Sequence, residues 1–172
     1  MIVAISKDGF INHLGEKHAS DWTSPEDQKH FRSTLERFGL QMMGFNTYTA
    51  NKDQIRLSAQ RRRIVFTRSP STQTNVSGQL EFTNEPVAGL ISRMEDAGYN
   101  TGLLLGGGQM FSQFLHNKLI DEAYITVEPL LFGKGIPFLP NRETMDEFDY
   151  LVLANEAPMN ASGTVMQHYI RK

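Results

Sequence analysis

Strand-length apolar runs alternate with helical patterns along this chain, and the last two strands are separated by a loop alone. These observations predict an α/β fold: a mostly parallel central sheet flanked by helices, with a C-terminal antiparallel hairpin at one edge. A third observation agrees with them. Several of the runs are apolar on both faces, as central strands need when helices cover the sheet on two sides.

Taken in order, the strands are expected at Ile2–Ile5, Leu40–Met43, Ile64–Thr67, Gln79–Phe82, Gly102–Leu105, Ala123–Glu128, Phe148–Ala154 and Thr164–Ile170. Between them, Pro25 to Phe38 sets Phe31, Leu35 and Phe38 on one helical stripe. Pro86 to Ala97 does the same with Leu90, Ile91 and Met94, and Gly98 supplies a stop. Gln109 to Leu119 aligns Phe111, Phe114 and Leu115. The loop Asn155–Gly163 then makes the final pair an antiparallel hairpin.

Composition narrows the function. With 172 residues the chain is expected to form one domain, spanning 1–172. Its 17 basic and 19 acidic residues give a net charge of −2, so nothing marks a nucleic-acid partner. No apolar run approaches the ~20 residues that span a bilayer. The absence of cysteine excludes disulfides, thiolate catalysis and Cys-ligated zinc. The five histidines form no i, i+4 pair and no HExxH, and no G-x-S-x-G elbow offers a serine nucleophile. A cytoplasmic protein without a metal site, acting on a small molecule, is the expectation.

Three segments sit where a strand ends and a helix or turn begins. Leu103-Leu104-Leu105 runs into Gly106-Gly107-Gly108 and then Gln109. Glycines let the backbone approach a ligand closely, and a helix N-terminus offers free N–H groups to a phosphate. The same segment also serves as a tight strand-to-helix turn. It is not a GxGxxG fingerprint, because Phe111 falls where the third glycine belongs. Met43-Gly44-Phe45-Asn46-Thr47 repeats the pattern, with Asn46 or Thr47 placed to cap a short helix. Thr67-Arg68-Ser69 adds a cation and two hydroxyls. Ligands of open α/β sheets lie outside the carboxyl ends of strands, so the three segments together outline a dinucleotide site.

Asp27 has two readings. Ser24 caps a helix with Pro25 at its first position, and Asp27 falls three after the cap, as in a capping box. Yet Asp27, Phe31 and Thr34 lie at i, i+4 and i+7, which puts a carboxylate on an inward-facing stripe. Such a carboxylate is costly unless it is paired or functional. At the mouth of a pocket it can grip an amidine-like N–C–NH2 edge and supply or relay a proton. The run Arg61-Arg62-Arg63 is either a solvated strand entrance or the anchor of a substrate phosphate or carboxylate, with Arg61 the candidate.

Together these pieces resemble the dihydrofolate reductase-like superfamily, and within it the riboflavin-pathway reductases of the RibD C-terminal domain family. Asp8-Gly9-Phe10-Ile11 is similar to the opening Asp-Gly-x-Ile loop, and Trp22 with Pro25 and Asp27 to the substrate-side helix start. Gly44 and Thr47 match the Gly-x-x-Thr motif, Ile64–Arg68 the strand and phosphate turn, and Gly106-Gly107 the di-glycine before the cofactor helix. Glu128-Pro129-Leu130-Leu131-Phe132-Gly133-Lys134-Gly135 resembles the RibD group more than folate enzymes. The resemblance covers nearly the whole chain.

It implies an NADPH-dependent reductase, with the nicotinamide against Ala4, Ile11 and the glycines, and hydride delivered to a C=N carbon. Asp27 would hold the substrate ring, beside Trp22 and Phe31. The implied acceptor is 5-amino-6-(5-phosphoribosylamino)uracil, with dihydrofolate as the alternative and a non-catalytic NADP-binding module as a third reading. A homodimer through a sheet edge is also implied. Phe45 stands where NADPH-specific dihydrofolate reductases commonly place a basic residue, which leaves the 2′-phosphate to Arg68 with Thr67 or Ser69. Asn51 to Ser58 matches the family's Asp-x-Pro-x-Leu-Thr-x-Arg stretch poorly.

Overall fold

A computed structural model describes residues 1–13, 18–140 and 148–172. Ten strands and four α-helices are assigned among them. The first half of the fold is β1 (Ile2–Ser6), β2 (Phe10–His13), α1 (Pro25–Glu36), β3 (Leu40–Gly44), α2 (Phe45–Asn51), β4 (Arg62–Phe66) and β5 (Leu80–Thr83). The second is α3 (Val87–Asp96), β6 (Leu103–Leu104), α4 (Gly108–His116), β7 (Glu122–Glu128), β8 (Gly135–Pro137), β9 (Leu151–Pro158) and β10 (Val165–Arg171).

One ladder runs β5-β4-β3-β6, parallel throughout. Parallel neighbours end on the same side, so the segments after β3, β4 and β6 emerge together. A second ladder runs β1-β7-β10-β9: β1 is parallel to β7, whereas β10 is antiparallel to both β7 and β9. The expected hairpin is therefore present, with β9 at the edge. β9 starts at Leu151 rather than Phe148 and continues to Pro158, which shortens the loop. β2 and β8 form a separate antiparallel pair that the apolar pattern does not announce.

Both faces of the parallel ladder are covered, which is why its strands are nearly continuous in apolar residues. Leu40, Met42, Ile64, Phe66 and Leu104 point toward α3 and α4, where Leu90, Met94, Phe111, Phe114 and Leu115 are buried. Met43, Val65, Leu80 and Phe82 point the other way, against Phe45 and Tyr48 of α2. Phe66 meets Phe114 edge-on at 6.0 Å between ring centres. Truncating a buried aromatic such as Phe114 costs about 3–5 kcal/mol, so this layer anchors α4 firmly beneath the glycine turn.

In α1 the buried positions are Asp27 and Thr34, while Phe31 and Leu35 are half-buried and Phe38 lies beyond the helix end. The polar members of the inward stripe are thus the deepest. No helix among the described residues is long and apolar enough to cross a membrane.

Candidate active site

The glycine turns after β3 and β6 meet. The Gly44 amide donates to the Gly106 carbonyl at 2.7 Å, and the Leu105 amide to the Met42 carbonyl at 2.8 Å. The Gly106–Gly107 peptide is cis. A Cβ on Gly107 would stand 3.3 Å from Thr47 Oγ1 and 3.7 Å from Ile11 Cδ1, so Gly107, Thr47 and Ile11 face one another. Gly106 has φ +103°, and a Cβ there would strike the ring of buried Phe111 at 2.8 Å. Gly108 lies under the carbonyls of Pro137 and Phe138, again at distances that exclude a side chain.

Neither helix that leaves these turns is capped by a side chain. Gly107 is the N-cap of α4 and Gly44 that of α2, so Asn46 and Thr47 lie within the first turn of α2 instead of capping it. The chain turns directly from β3 into α2 at Gly44, so Asn46 and Thr47 already have helical geometry. Gln109 is exposed in the first turn of α4. Thr67, Arg68 and Ser69 follow β4 beside this cradle. Thr67 Oγ1 accepts from the Ser69 amide at 3.3 Å, and Arg68 is exposed.

Across the fold, α1 lies along β7 with its polar positions in register. Ser24, Asp27 and His30 recur every three residues, and they meet Glu128, Thr126 and Tyr124, which recur every two on one strand face. The Ser24 amide donates to Glu128 Oε1 at 2.7 Å. The hydroxyls of Thr126 and Thr23 lie beside the Asp27 carboxylate and favour its ionised form. His30 meets Tyr124 edge-on at 5.6 Å. Burial and the charge of Glu128 hold the Asp27 carboxyl above the usual carboxylate range, against the lowering effect of its hydroxyl partners and His30.

The capping box expected at Asp27 is only half made. Ser24 Oγ accepts from the Asp27 amide at 3.3 Å, but the Ser24 amide goes to Glu128, 104 residues away. Asp27 is freed from its local partner and faces Thr126. The sequence marks neither Glu128 nor Thr126 as a site residue, although the strand period places both on the face that looks at α1.

The candidates on β1, β2 and α1 lie beside these two centres, whereas Arg61, Arg62 and Arg63 enter β4 at the end of the ladder opposite the glycine turns. Ala4 pairs with Thr126 across β1 and β7, and Ile11 on β2 reaches Gly107, so β1–β2 spans the gap between carboxylate and glycines. Trp22 donates through Nε1 to Asn12 Oδ1 at 3.2 Å and stands edge-on to Phe132 at 5.0 Å. Phe132 is held in turn by Asp8, whose carboxylate accepts from the Phe132 and Gly133 amides at 3.1 and 2.7 Å and from Ser6 Oγ at 2.6 Å. Phe31 is half-buried one turn after Asp27. In the basic run, Arg63 is the buried member and Arg61 is half-buried, whereas Arg62 bridges to Glu81. Among the described residues no cluster of acids and histidines has a metal-holding arrangement.

A glycine cradle at the strand ends, opposite a buried carboxyl on the first long helix, defines the class: the fold is that of the dihydrofolate reductase-like proteins. The sequence profile of the RibD C-terminal domain matches residues 1–157, and the chain belongs to that family.

Solved structures agree on the fold. A Shewanella sp. PV-4 protein assigned to riboflavin biosynthesis superposes with a TM-score of 0.76 at 24% identity, over 99% of this chain and 97% of its own. The Enterococcus faecalis dihydrofolate reductase, solved with NADP(H) and RAB-propyl, gives 0.71 at 20% identity, over 99% and 94%. Among curated sequences, the uncharacterized protein YwjB of Bacillus subtilis is 25% identical over 99% of this chain and 96% of its own.

Proposed function

We propose that residues 1–172 form one NADPH-dependent reductase domain that delivers hydride to the carbon of a C=N bond, with 5-amino-6-(5-phosphoribosylamino)uracil as the leading substrate. The observation that carries this reading is the pairing of an uncapped, glycine-lined cradle with a buried, protonation-prone Asp27, bridged by Ala4 and Ile11. Family membership and the NADP(H)-bound dihydrofolate reductase of the same fold support it.

The residues present fit the cofactor. Gly107 turns its bare face toward Thr47 and Ile11, where a side chain would obstruct a flat ring and a pyrophosphate, and Gly44 and Gly106 shape the paired turns behind it. Gly108, Asn46 and Gln109 complete the first turns around the phosphates. Thr67, Arg68 and Ser69 would hold the 2′-phosphate, since Arg68 is exposed at the end of β4. When bound, the cofactor supplies the hydride at C4 of its nicotinamide.

The chain's own residues then position, dry and protonate. Trp22 and Phe31 enclose the acceptor ring and exclude water. Asp27, whose burial raises its proton affinity, holds the ring's nitrogen edge and provides the proton that the imine nitrogen takes as its carbon gains hydride. Arg61 serves the substrate's anionic tail. The poor match of Asn51 to Ser58 to the family's phosphate-side stretch favours dihydrofolate as the second reading.

Following NADPH oxidation at 340 nm with each acceptor in parallel tests the proposal. Turnover with the ribosylaminopyrimidine phosphate is expected. Turnover with dihydrofolate alone would establish the second reading. NADPH that quenches Trp22 fluorescence without turnover on either would leave a cofactor-binding module, and no quenching would overturn the cofactor site.

A further inference from the structure

We propose that Glu128 is the positioning residue of this site: it fixes the start of α1 on the end of β7 and so sets where Asp27 lies and which carboxylate it faces. The proposal rests on the reading of Asp27 as the substrate-side acid. Glu128 is 2% exposed, yet its carboxylate is satisfied only by neutral donors among the described residues. Oε1 accepts from the Ser24 amide at 2.7 Å, and Oε2 from the Thr164 hydroxyl at 2.7 Å. Thr164 is 1% exposed and is itself held by Asn160, whose Oδ1 accepts from the Thr164 amide at 3.1 Å and whose Nδ2 donates to Thr164 Oγ1 at 3.0 Å. Asn160 Nδ2 also donates to Glu26 Oε2 on α1 at 3.0 Å. Helix, strand and C-terminal hairpin are therefore joined at one buried carboxylate.

A charge placed so deep needs a purpose that a glutamine or a serine would not serve. The groups facing Asp27 explain it. From β7 come Thr126 and Glu128, from the segment before α1 comes Thr23, and from α1 itself comes His30. Burial holds His30 below its usual range, so at neutral pH it offers Asp27 no compensating charge. Glu128 is then the formal charge that acts on Asp27. A second negative charge nearby makes ionisation of Asp27 unfavourable and keeps a proton available to a substrate.

Two variants separate geometry from charge. Glu128→Gln keeps an oxygen for the Ser24 amide and removes the charge. Glu128→Asp keeps the charge and shortens the reach by one methylene. The Asp27 carboxyl carbon is followed by 13C NMR against pH in the ligand-free chain and assigned by its loss in Asp27→Asn. The Ser24 amide is followed by hydrogen exchange.

In Glu128→Gln the Asp27 titration should move down by about half a pH unit or more, and the alkaline limb of turnover should move with it. An unmoved titration overturns the proposal. In Glu128→Asp, Ser24 exchange should accelerate at least tenfold while Asp27 stays elevated. Unchanged Ser24 protection overturns it, even if the glutamine variant fails to fold. Both readouts need neither cofactor nor substrate, so they stand or fall separately from the reductase reading.

Discussion

Asp27 is where two explanations of one residue meet, and the structure distinguishes them by what its neighbours do. A helix-capping carboxylate would bond the Ser24 amide, be exposed and titrate low. Asp27 leaves that amide to Glu128, is 6% exposed and is pushed up by burial. Replacing it with asparagine keeps an acceptor for one threonine hydroxyl and removes the proton. Turnover in Asp27→Asn should fall by about 10²–10⁴, the usual worth of a positioned acid, with NADPH affinity unchanged. Steady-state rates beside Trp22 quenching check this. Unaltered turnover would return Asp27 to a structural role. The sequence marks Asp27 through its place on the stripe with Thr34, but nothing local announces Glu128, because the bond that matters spans 104 residues.

At the scale of elements, the glycines of the β6–α4 turn are not equivalent. Gly106 has a positive φ, and its missing Cβ makes room for Phe111, which is 1% exposed in the core. Gly106→Ala should therefore cost about 1–3 kcal/mol and lower Tm by several degrees, whatever the ligand. Gly107 has no such neighbour, since its nearest atoms, on Thr47 and Ile11, lie in the cleft wall at 3.3 and 3.7 Å. Gly107→Ala should leave Tm within a degree or two and weaken NADPH binding at least tenfold, about 1.4 kcal/mol. Thermal melts and cofactor titrations on the two variants should give opposite patterns.

The elements themselves were largely legible in the sequence, because long runs buried on both faces and strongly periodic helices leave clear patterns. β2 and β8 were not, for a physical reason. At four and three residues they are too short to display a period, and each finds its ladder partner across more than a hundred residues. The cap of α2 was misplaced for a related reason: Gly44 caps with its backbone, which a side-chain pattern cannot reveal.

Across the whole molecule the carboxyls pull in opposite directions as pH changes. Asp8, Glu26, Glu81 and Glu122 are held below their usual range, Asp8 chiefly by Ser6, Glu26 by Asn160 and Glu122 by Tyr124, and Glu81 by Arg93 and Arg62 in spite of its burial. What they add to stability is complete above the unfolded carboxylate range, and it is lost as pH falls through their lower folded values. Asp27 has the reverse sign. Its folded value is raised, so between the unfolded and folded values the native state binds more protons than the unfolded one. Stability therefore falls as pH rises through that window. An asparagine at this position imitates the protonated acid at every pH. The Tm of Asp27→Asn should accordingly match that of the parent below about pH 3, where both unfolded and native carboxyls are protonated. It should rise above the parent as pH climbs from the unfolded value toward the elevated folded one, and the gap should become constant above the folded value. Paired melts from about pH 3 to about pH 8 measure that gap directly. A gap independent of pH would mean that Asp27 costs the fold nothing as an anion, and its burial could then no longer be the reason it keeps a proton.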